Sequence, residues 1–307
     1  MSAPILSILV PFHGDDPSAL MDALAAQMDG TCELVLFDDG SPDKAPVNVL
    51  QSHAEALDVA IRVVSSKSNL GRSGARNALC KAARGDWLLY LDADMEVPEG
   101  FLARWLELIR ANTFDAAYGG YTLPAEEART HPVHAALARA GDVISAEERA
   151  QRGASAFAGS NLAVRASLMA KVPFDQGYQG WGWEDVDWAV RASKTARLAH
   201  VDNPAGHGGL QSVDRLIAKF AEGGANHARF LARHPEQARL PGARLARLIA
   251  QLRLASAVTA ITPAMARSSA LPVRLRALAL KAYKAACAAR ALGSGRSEAT
   301  WLGEVRP

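Results

Sequence analysis

The 307 residues suffice for one large α/β domain with an appendage, or for two modest domains. Hydrophobic residues make up 49% and charged residues 21%, which supports a sizeable core and excludes a chain disordered throughout. The net charge of +2 hides a split: residues 211–307 carry 16 Lys/Arg against 5 Asp/Glu, or +11, whereas residues 1–210 carry −9. An acidic front argues against a general polyanion binder unless charge is collected around a metal. The basic tail suits an anionic membrane surface, an acidic partner or nucleic acid, and equally a plain solvated helix face. Three widely spaced cysteines (Cys32, Cys80, Cys287) give no C-x-x-C pair and no even disulfide framework, so a reducing cytoplasmic compartment is expected. The start of the chain lacks the basic and apolar regions of a signal peptide. No apolar run reaches the roughly 18 residues of a spanning helix, so the expectation is a soluble or peripherally attached protein.

The first 120 residues alternate strand and helix. Ile5–Phe12 is a short apolar run ending in a polar loop, which predicts a buried strand. Asp16–Met28 places Leu20, Leu24 and Met28 on one helical face, and Glu33–Phe37 is a second strand running into Asp38-Asp39-Gly40-Ser41. Residues 45–58 suit a helix, Ala60–Ser65 a third strand and Gly74–Ala83 a helix, before a fourth strand, Trp87–Leu91, that ends in Asp92-Ala93-Asp94. This alternation predicts a parallel sheet covered by helices on both faces, with ligands beyond the carboxyl ends of the strands. Both acidic clusters fall there. Further on, Phe157–Val164 reads as a strand, Ser167–Lys171 and Glu184–Ser193 as helices, and Arg197–Val201 as a strand. Beyond Gly209 the pattern is helical, with one apolar stripe of Leu245, Leu248, Ile249 and Leu252 and another of Leu271, Leu275, Leu278 and Ala282. Pro263 and Pro272 are expected to separate segments, and the last dozen residues to fray.

The chemistry lies in the acids. Two carboxylates at alternate positions of extended chain, Asp92 and Asp94, point to the same side and can hold a hard divalent cation, although D-x-D also occurs in turns and caps. Asp38-Asp39 is equally ambiguous alone, since Asp-Gly is a common turn. Gly71-Arg72-Ser73-Gly74-Ala75-Arg76-Asn77 brings glycines and two arginines to a helix start, where they suit phosphate or a base, but it is no Walker A loop. Gly180-Trp181-Gly182-Trp183-Glu184-Asp185-Val186-Asp187 is the most specific segment. Its indoles suit a sugar ring and its adjacent acids can take a hydroxyl proton, against a plain reading as a capped helix start. His207, in a glycine loop, becomes a candidate third metal ligand once the carboxylate site is proposed.

The ordered segments LVPFH, LVLFDDGS, NLGRSGARNAL, GDWLLYLDAD, FAGSNLAV and GWGWEDVDWAVR resemble the inverting nucleotide-sugar glycosyltransferases of family 2, especially galactosyltransferase-type and chondroitin-polymerase-type members. The resemblance covers roughly residues 4–210. It implies an α/β, Rossmann-like GT-A domain with a donor-binding half at 1–120, an acceptor-binding half at 121–210 and a basic amphipathic helical extension at 211–307. It implies further that Pro11 and Phe12 border the nucleotide pocket, that Asp39, with Asp38, contacts uracil, and that Arg72 and Arg76 lie near the diphosphate. Asp92 is then expected at ribose or metal, Asp94 and His207 at a divalent Mn²⁺ or Mg²⁺, and Asn161 at the boundary of donor sugar and acceptor. Glu184 is expected to bind the acceptor together with Trp181 and Trp183, and Asp185 to act as general base. The implied reaction moves a sugar from a UDP-sugar to a glycan or lipid-linked glycan, as in surface polysaccharide assembly.

Three alternatives carry weaker signals. A nucleotidyltransferase usually opens with a glycine-rich basic loop, where this chain has acidic His13-Gly14-Asp15-Asp16. A retaining transferase fits the same fold, and a non-catalytic UDP-sugar-binding regulator conflicts with the complete set Asp92, Asp94, Asp185 and His207. For the tail, residues 240–290 are a candidate for an anionic membrane surface on the inner face of the plasma membrane, or for a homodimer or other protein contact. Nucleic acid is not expected, since aromatic interleaving and a recognised motif are lacking.

Overall fold

A computed structural model describes residues 3–293. In chain order it contains β1 (Leu6–Phe12), α1 (Ser18–Ala25), β2 (Cys32–Asp38), α2 (Ala45–Ala56), β3 (Ile61–Ser65), α3 (Gly71–Ala82), β4 (Trp87–Leu91) and β5 (Met95–Glu96). Then come α4 (Phe101–Arg110), β6 (Ala116–Tyr118), β7 (Tyr121–Thr122), α5 (Ala125–Thr130), α6 (Pro132–Arg139), α7 (Ala146–Arg152), β8 (Asn161–Arg165) and α8 (Ala166–Lys171). The chain continues with α9 (Glu184–Ala192), β9 (Leu198–His200), β10 (Ala205–His207), α10 (Val213–Arg233), α11 (Pro241–Gln251), α12 (Ala255–Arg267) and α13 (Val273–Gly293). The expected fraying of the last dozen residues lies outside the described range. No helix among the described residues is long and apolar enough to cross a membrane, and the three cysteines are free.

The chain forms two compact units. The first comprises residues up to Pro124, Asp142–Asp175 and Asp185–Gly209; the second comprises Ala125–Gly141, Gln176–Glu184 and the chain from Leu210 onward. Ranges cut at 120 and 210 therefore leave out two stretches, 125–141 and 176–184, that belong with the helical part.

In the first unit, seven strands form one sheet in the order β3-β2-β1-β4-β8-β6-β9. Strands β1 to β4 are parallel, but β8 runs antiparallel to both β4 and β6, so the sheet is mixed where sequence alternation predicts a parallel one. The antiparallel strand is reached through irregular chain: residues 157–160 of the expected strand precede β8, after a short 3-10 turn at Gly153–Ala156. Period-two alternation divides each central strand between two layers. Leu6, Ile8, Val10, Leu34, Leu36, Leu89 and Leu91 join one core with α1, α2 and α4. Leu9, Val35, Phe37, Leu88 and Tyr90 join the other with α3, α8 and α9. Because both faces are covered, these strands read as unbroken apolar runs rather than as polar–apolar alternation. A separate sheet of three short strands, β5-β10-β7, lies within the same unit.

In the second unit, α13 packs against α6, α10, α11 and α12. The contact of α11 with α13 is made mostly of alanine, that of α10 with α13 mostly of larger side chains. Ala246 and Ile249 of α11 meet Ala285, Ala286, Ala288 and Ala289, while Leu216, Ile217 and Phe220 of α10 meet Ala277, Leu280 and Tyr283. A Cβ on Gly224 of α10 would stand 2.9 Å from the Cys287 carbonyl carbon, so that crossing admits only glycine. The two apolar stripes of the sequence face outward for the most part: Leu245, Leu248, Leu252, Leu275 and Leu278 are exposed, Leu271 and Ala282 are half-buried, and only Ile249 is buried. Alanine faces permit closer helix approach, and they win the interior. Pro263 does not separate segments; α12 runs through it, its buried Thr262 and Ala266 holding the helix together around the missing N–H. Substituting Leu280, which is fully buried, with Ala is expected to cost about 2–5 kcal/mol in chemical denaturation. Leu278→Ala, two residues away and exposed, should stay within about 0.5 kcal/mol.

Candidate functional site

The parallel register pairs Phe12 with Asp38, and the Asp39 N–H donates to the Phe12 carbonyl at 2.9 Å, so β1 and β2 end together. Phe12 is buried in the core and Pro11 is half-buried beside it. Asp38 is fully buried; its carboxylate accepts from the Ser41 N–H at 2.7 Å and from Lys44, and these bonds outweigh burial to hold its pKa below the usual range. That carboxylate is engaged inside the turn. Asp39 accepts from the Leu70 N–H at 2.7 Å, tying the strand end to the entry of α3, and burial pushes its pKa up.

The acids after β4 are completed from a distant part of the chain. Met95 N–H bonds back to the Asp92 carbonyl and opens β5, which pairs antiparallel with β10 so that His207 stands opposite Met95. The Gly208 N–H donates to the Asp94 carbonyl at 2.8 Å. This pairing brings one ligand atom each of Asp92, Asp94 and His207 within 4.8 Å of one another. His207 Nε2 lies 3.7 Å from Asp94 Oδ1, while its buried Nδ1 has no hydrogen-bond partner. Burial alone would raise the Asp92 pKa, but Arg76, Arg72 and His207 bring it below the ordinary value. Desolvation and the neighbouring Asp92 push Asp94 up, with His207 opposing. Two carboxylates and an imidazole with one nitrogen orphaned fit Mn²⁺ or Mg²⁺, whose charge would relieve the repulsion between the acids. Gly209 protects the arrangement, because a Cβ there would come within bonding distance, 1.8 Å, of Asp94 Oδ2.

Arg76 joins this cluster to Asp185. It is buried, its Nη2 lies 3.0 Å from Asp92 Oδ1, and its carbonyl accepts from the Tyr90 hydroxyl at 3.1 Å. A Cβ on Gly159 would meet the Arg76 guanidinium carbon at 2.7 Å, and the Gly159 N–H in turn reaches Asp185 Oδ2 at 3.4 Å. Asp92, Arg76, Gly159 and Asp185 thus form a continuous run of neighbours, with Arg72 exposed on the same helix as Arg76. Asn161, expected at the sugar boundary, is not in it. It is 0% exposed, and its side chain accepts from Trp105 Nε1 and donates to the Gly120 and Asn203 carbonyls, which makes it an internal brace.

The glycine–tryptophan segment has its own support within the second unit. Gly180, Gly182 and Trp183 all have positive φ (71°, 88° and 78°), and for Trp183 that conformation costs about 1–3 kcal/mol. Neighbouring helices hold it there. The Asn226 side chain donates to the Gln179 and Trp181 carbonyls, and the Trp183 ring stacks on His227 at 3.9 Å between centroids. Lys284 Nζ lies 5.2 Å from the Trp181 ring, 5.5 Å from Trp183 and 5.4 Å from Phe220. One face of Trp183 is therefore covered by protein. Glu184 is 3% exposed, whereas Asp185 is half-buried. Sequence reasoning missed Asn226, His227 and Lys284, which lie in helices without a motif, and Gly159 and Gly209, whose importance is steric.

Residues 7–154 match the family described as Glycosyl transferase family 2. The chain is 32% identical over 130 residues to an uncharacterized glycosyltransferase, EpsJ, of Bacillus subtilis, a stretch covering 42% of this chain and 37% of that protein. It therefore spans little more than a third of that relative's length. Among solved structures it is similar to the mannosyltransferase PcManGT from Pyrobaculum calidifontis, in complex with GDP-Man and Mn²⁺ (TM-score 0.60, 18% identity, 95% of this chain and 88% of that one). It is also similar to residues 1–349 of S. aureus TarS in complex with UDP (TM-score 0.53, 15% identity, 95% and 91%). At these identities the likeness is one of fold, the mixed α/β GT-A fold with added helices.

Two outcomes test the geometry. Gly209→Ala should weaken Mn²⁺ binding about 10–100-fold in calorimetric titration while leaving the thermal midpoint nearly unchanged. Burial, reinforced by Lys284, lowers the His227 pKa to about 3. The unfolded chain then takes up a proton below about pH 6.5 that the folded chain refuses. Stability contributed at neutral pH is lost as pH falls from there toward 3, at up to about 1.4 kcal/mol per pH unit. Denaturant titrations of His227→Phe should show a shallower acid decline than the parent; identical slopes would contradict the burial of a neutral imidazole.

Proposed function

We propose, from the glycosyltransferase family 2 domain that residues 7–154 make up, that this chain is an inverting, metal-dependent glycosyltransferase. The donor is a UDP-sugar and the acceptor a glycan or lipid-linked glycan of a surface polysaccharide, reached from the cytoplasmic face of the plasma membrane. The observation that carries the reading is the convergence of Asp92, Asp94 and His207, with Arg76 bonded to Asp92 and Gly159 between Arg76 and Asp185. Neighbours of the same fold bound to UDP, or to GDP-Man with Mn²⁺, support a nucleotide-sugar donor and a divalent cation.

Asp92, Asp94 and His207 would hold the cation, whose positive charge, when bound, offsets the charge of the departing diphosphate. Asp39 and the edge of β1 receive the nucleoside. Arg76 keeps Asp92 ionised and in place, and Arg72 adds positive charge on the exposed side of the same helix. Asp185 accepts the proton of an acceptor hydroxyl as that oxygen bonds to the anomeric carbon. The bond from that carbon to the diphosphate breaks on the opposite face, its electron pair leaving with UDP. One displacement inverts the anomer, so an α-linked donor gives a β-linked product.

The test is UDP release across a panel of UDP-sugars, with GDP-mannose as contrast, with and without Mn²⁺. One donor should be turned over, the reaction should cease in chelator, and product NMR should show the β anomer. Asp185→Asn should keep UDP binding while losing about 10²–10⁴-fold in transfer rate. Undiminished transfer by that variant would remove Asp185 as the base, and an α product would replace inversion by retention.

A further inference from the structure

Among the described residues eleven large hydrophobic side chains are exposed; nine belong to the second unit, and eight of these fall between 245 and 278: Leu245, Leu248, Leu252, Leu254, Ile261, Met265, Leu275 and Leu278. Their exposure runs from 37% for Leu245 to 61% for Leu278. They are not strays from a loose core, because the opposite faces of the same helices are closely packed through Ala246, Ile249, Ala266, Ala277 and Leu280. They recur at helical spacing. Leu245, Leu248 and Leu252 form one row along α11 and its end, Ile261 and Met265 another on α12, and Leu275 and Leu278 a third on α13.

The stretch of chain that carries them has charge of one sign. From residue 237 to residue 297 there is no Asp or Glu, while Arg239, Arg244, Arg247, Arg253, Arg267, Arg274, Arg276, Lys281, Lys284 and Arg290 fall in the described part of that stretch. Arg244 and Arg247 are exposed beside the α11 leucines, and Arg274 and Lys281 share the outward side of α13 with Leu275 and Leu278. Arg267 is paired with Asp214 of α10 at 2.7 Å; the apolar rows flanked by Arg244, Arg247, Arg274 and Lys281 fit a phase that offers hydrocarbon and negative charge together. A second copy of the same face would set like charges against each other, and nucleic acid offers the charge without the hydrocarbon.

We infer that the outward sides of α11, α12 and α13 dock on an anionic lipid bilayer, leucines entering the boundary of headgroup and acyl chain and the basic side chains meeting lipid phosphates. The docking requires neither nucleotide nor metal, so it stands or falls apart from the transfer reaction.

The full chain would be cosedimented with phosphatidylcholine vesicles, with and without phosphatidylglycerol, at low and high ionic strength. Binding should require phosphatidylglycerol and weaken with salt. Leu248→Ser with Leu278→Ser, and separately Arg244→Glu with Arg247→Glu, should each reduce partitioning by on the order of tenfold or more, since each removes two anchoring groups. Val49→Ser, at an exposed apolar residue of the first unit, should bind like the parent. All of these residues are exposed, and circular dichroism would verify folding. Equal binding to neutral vesicles would overturn the electrostatic half of the inference, and unchanged binding by both double variants would overturn the face itself. Absence of vesicle binding together with a dimer that Leu248→Ser/Leu278→Ser dissociates would assign the face to a second copy instead.

Discussion

The antiparallel contact between β5 and β10 is the constraint on which the site depends. It consists of very few residues, Met95 opposite His207 and Glu96 opposite Gly206, reinforced by the Gly208 N–H to the Asp94 carbonyl. Without it, Asp92 and Asp94 are two like charges at a strand end, a common turn with no particular chemistry. With it, an imidazole from more than a hundred residues downstream stands beside them, and its orphaned Nδ1 has a reason to be buried. So short a ladder tolerates little bulk. The two glycines after His207 meet that demand: one runs 3.1 Å from the Asp94 carbonyl as judged by its would-be Cβ, and the other leaves room for the Asp94 carboxylate.

Charge is arranged around the same contact. The Asp92 carboxylate is ionised although partly buried, because Arg76 reaches it from α3, and Arg76 is itself fixed by its packing at 5.5 Å over the Phe174 ring. A buried guanidinium without its carboxylate would be costly, so the pair is expected to hold whether or not a cation is present. Asp94 has no arginine bonded to it among the described contacts, and desolvation together with the neighbouring Asp92 raises its pKa. The two acids are therefore unequal: one is satisfied by protein, and the other is the group that gains most from an added cation.

Much of this was legible in the sequence, and the failures share a cause. Strands β1, β2 and β4 are found by apolar runs because each is buried on both faces, and the acids at their ends follow from that placement. Periodicity reports which residues are apolar, not which partner they meet. Thus it could not show that β8 runs antiparallel, nor that alanines rather than leucines fill the contact of α11 with α13. A polar residue in a motif can brace a backbone as readily as it binds a ligand, and the sequence does not show the three internal bonds that hold Asn161. Pro263 was misread because a breaker in an isolated helix is tolerated when packing holds both sides. Lys284 and His227 carried no local signal at all, since their role arises from rings contributed by Gln176–Glu184.

The split in charge noticed first in the composition now has a physical content. In the first unit Asp38, Asp39, Asp92 and Asp94 stand at strand ends, the last two beside His207, with Arg76 bonded to Asp92. In the second unit the acid-free stretch surrounds a tight alanine core with leucines and arginines turned outward, an arrangement that calls for an anion backed by hydrocarbon. A neutral average would have served solubility as well, so segregation itself needs a cause. The +2 total is the sum of +11 in residues 211–307 and −9 in residues 1–210, and the metal site and the lipid surface proposed above would each use one of these excesses.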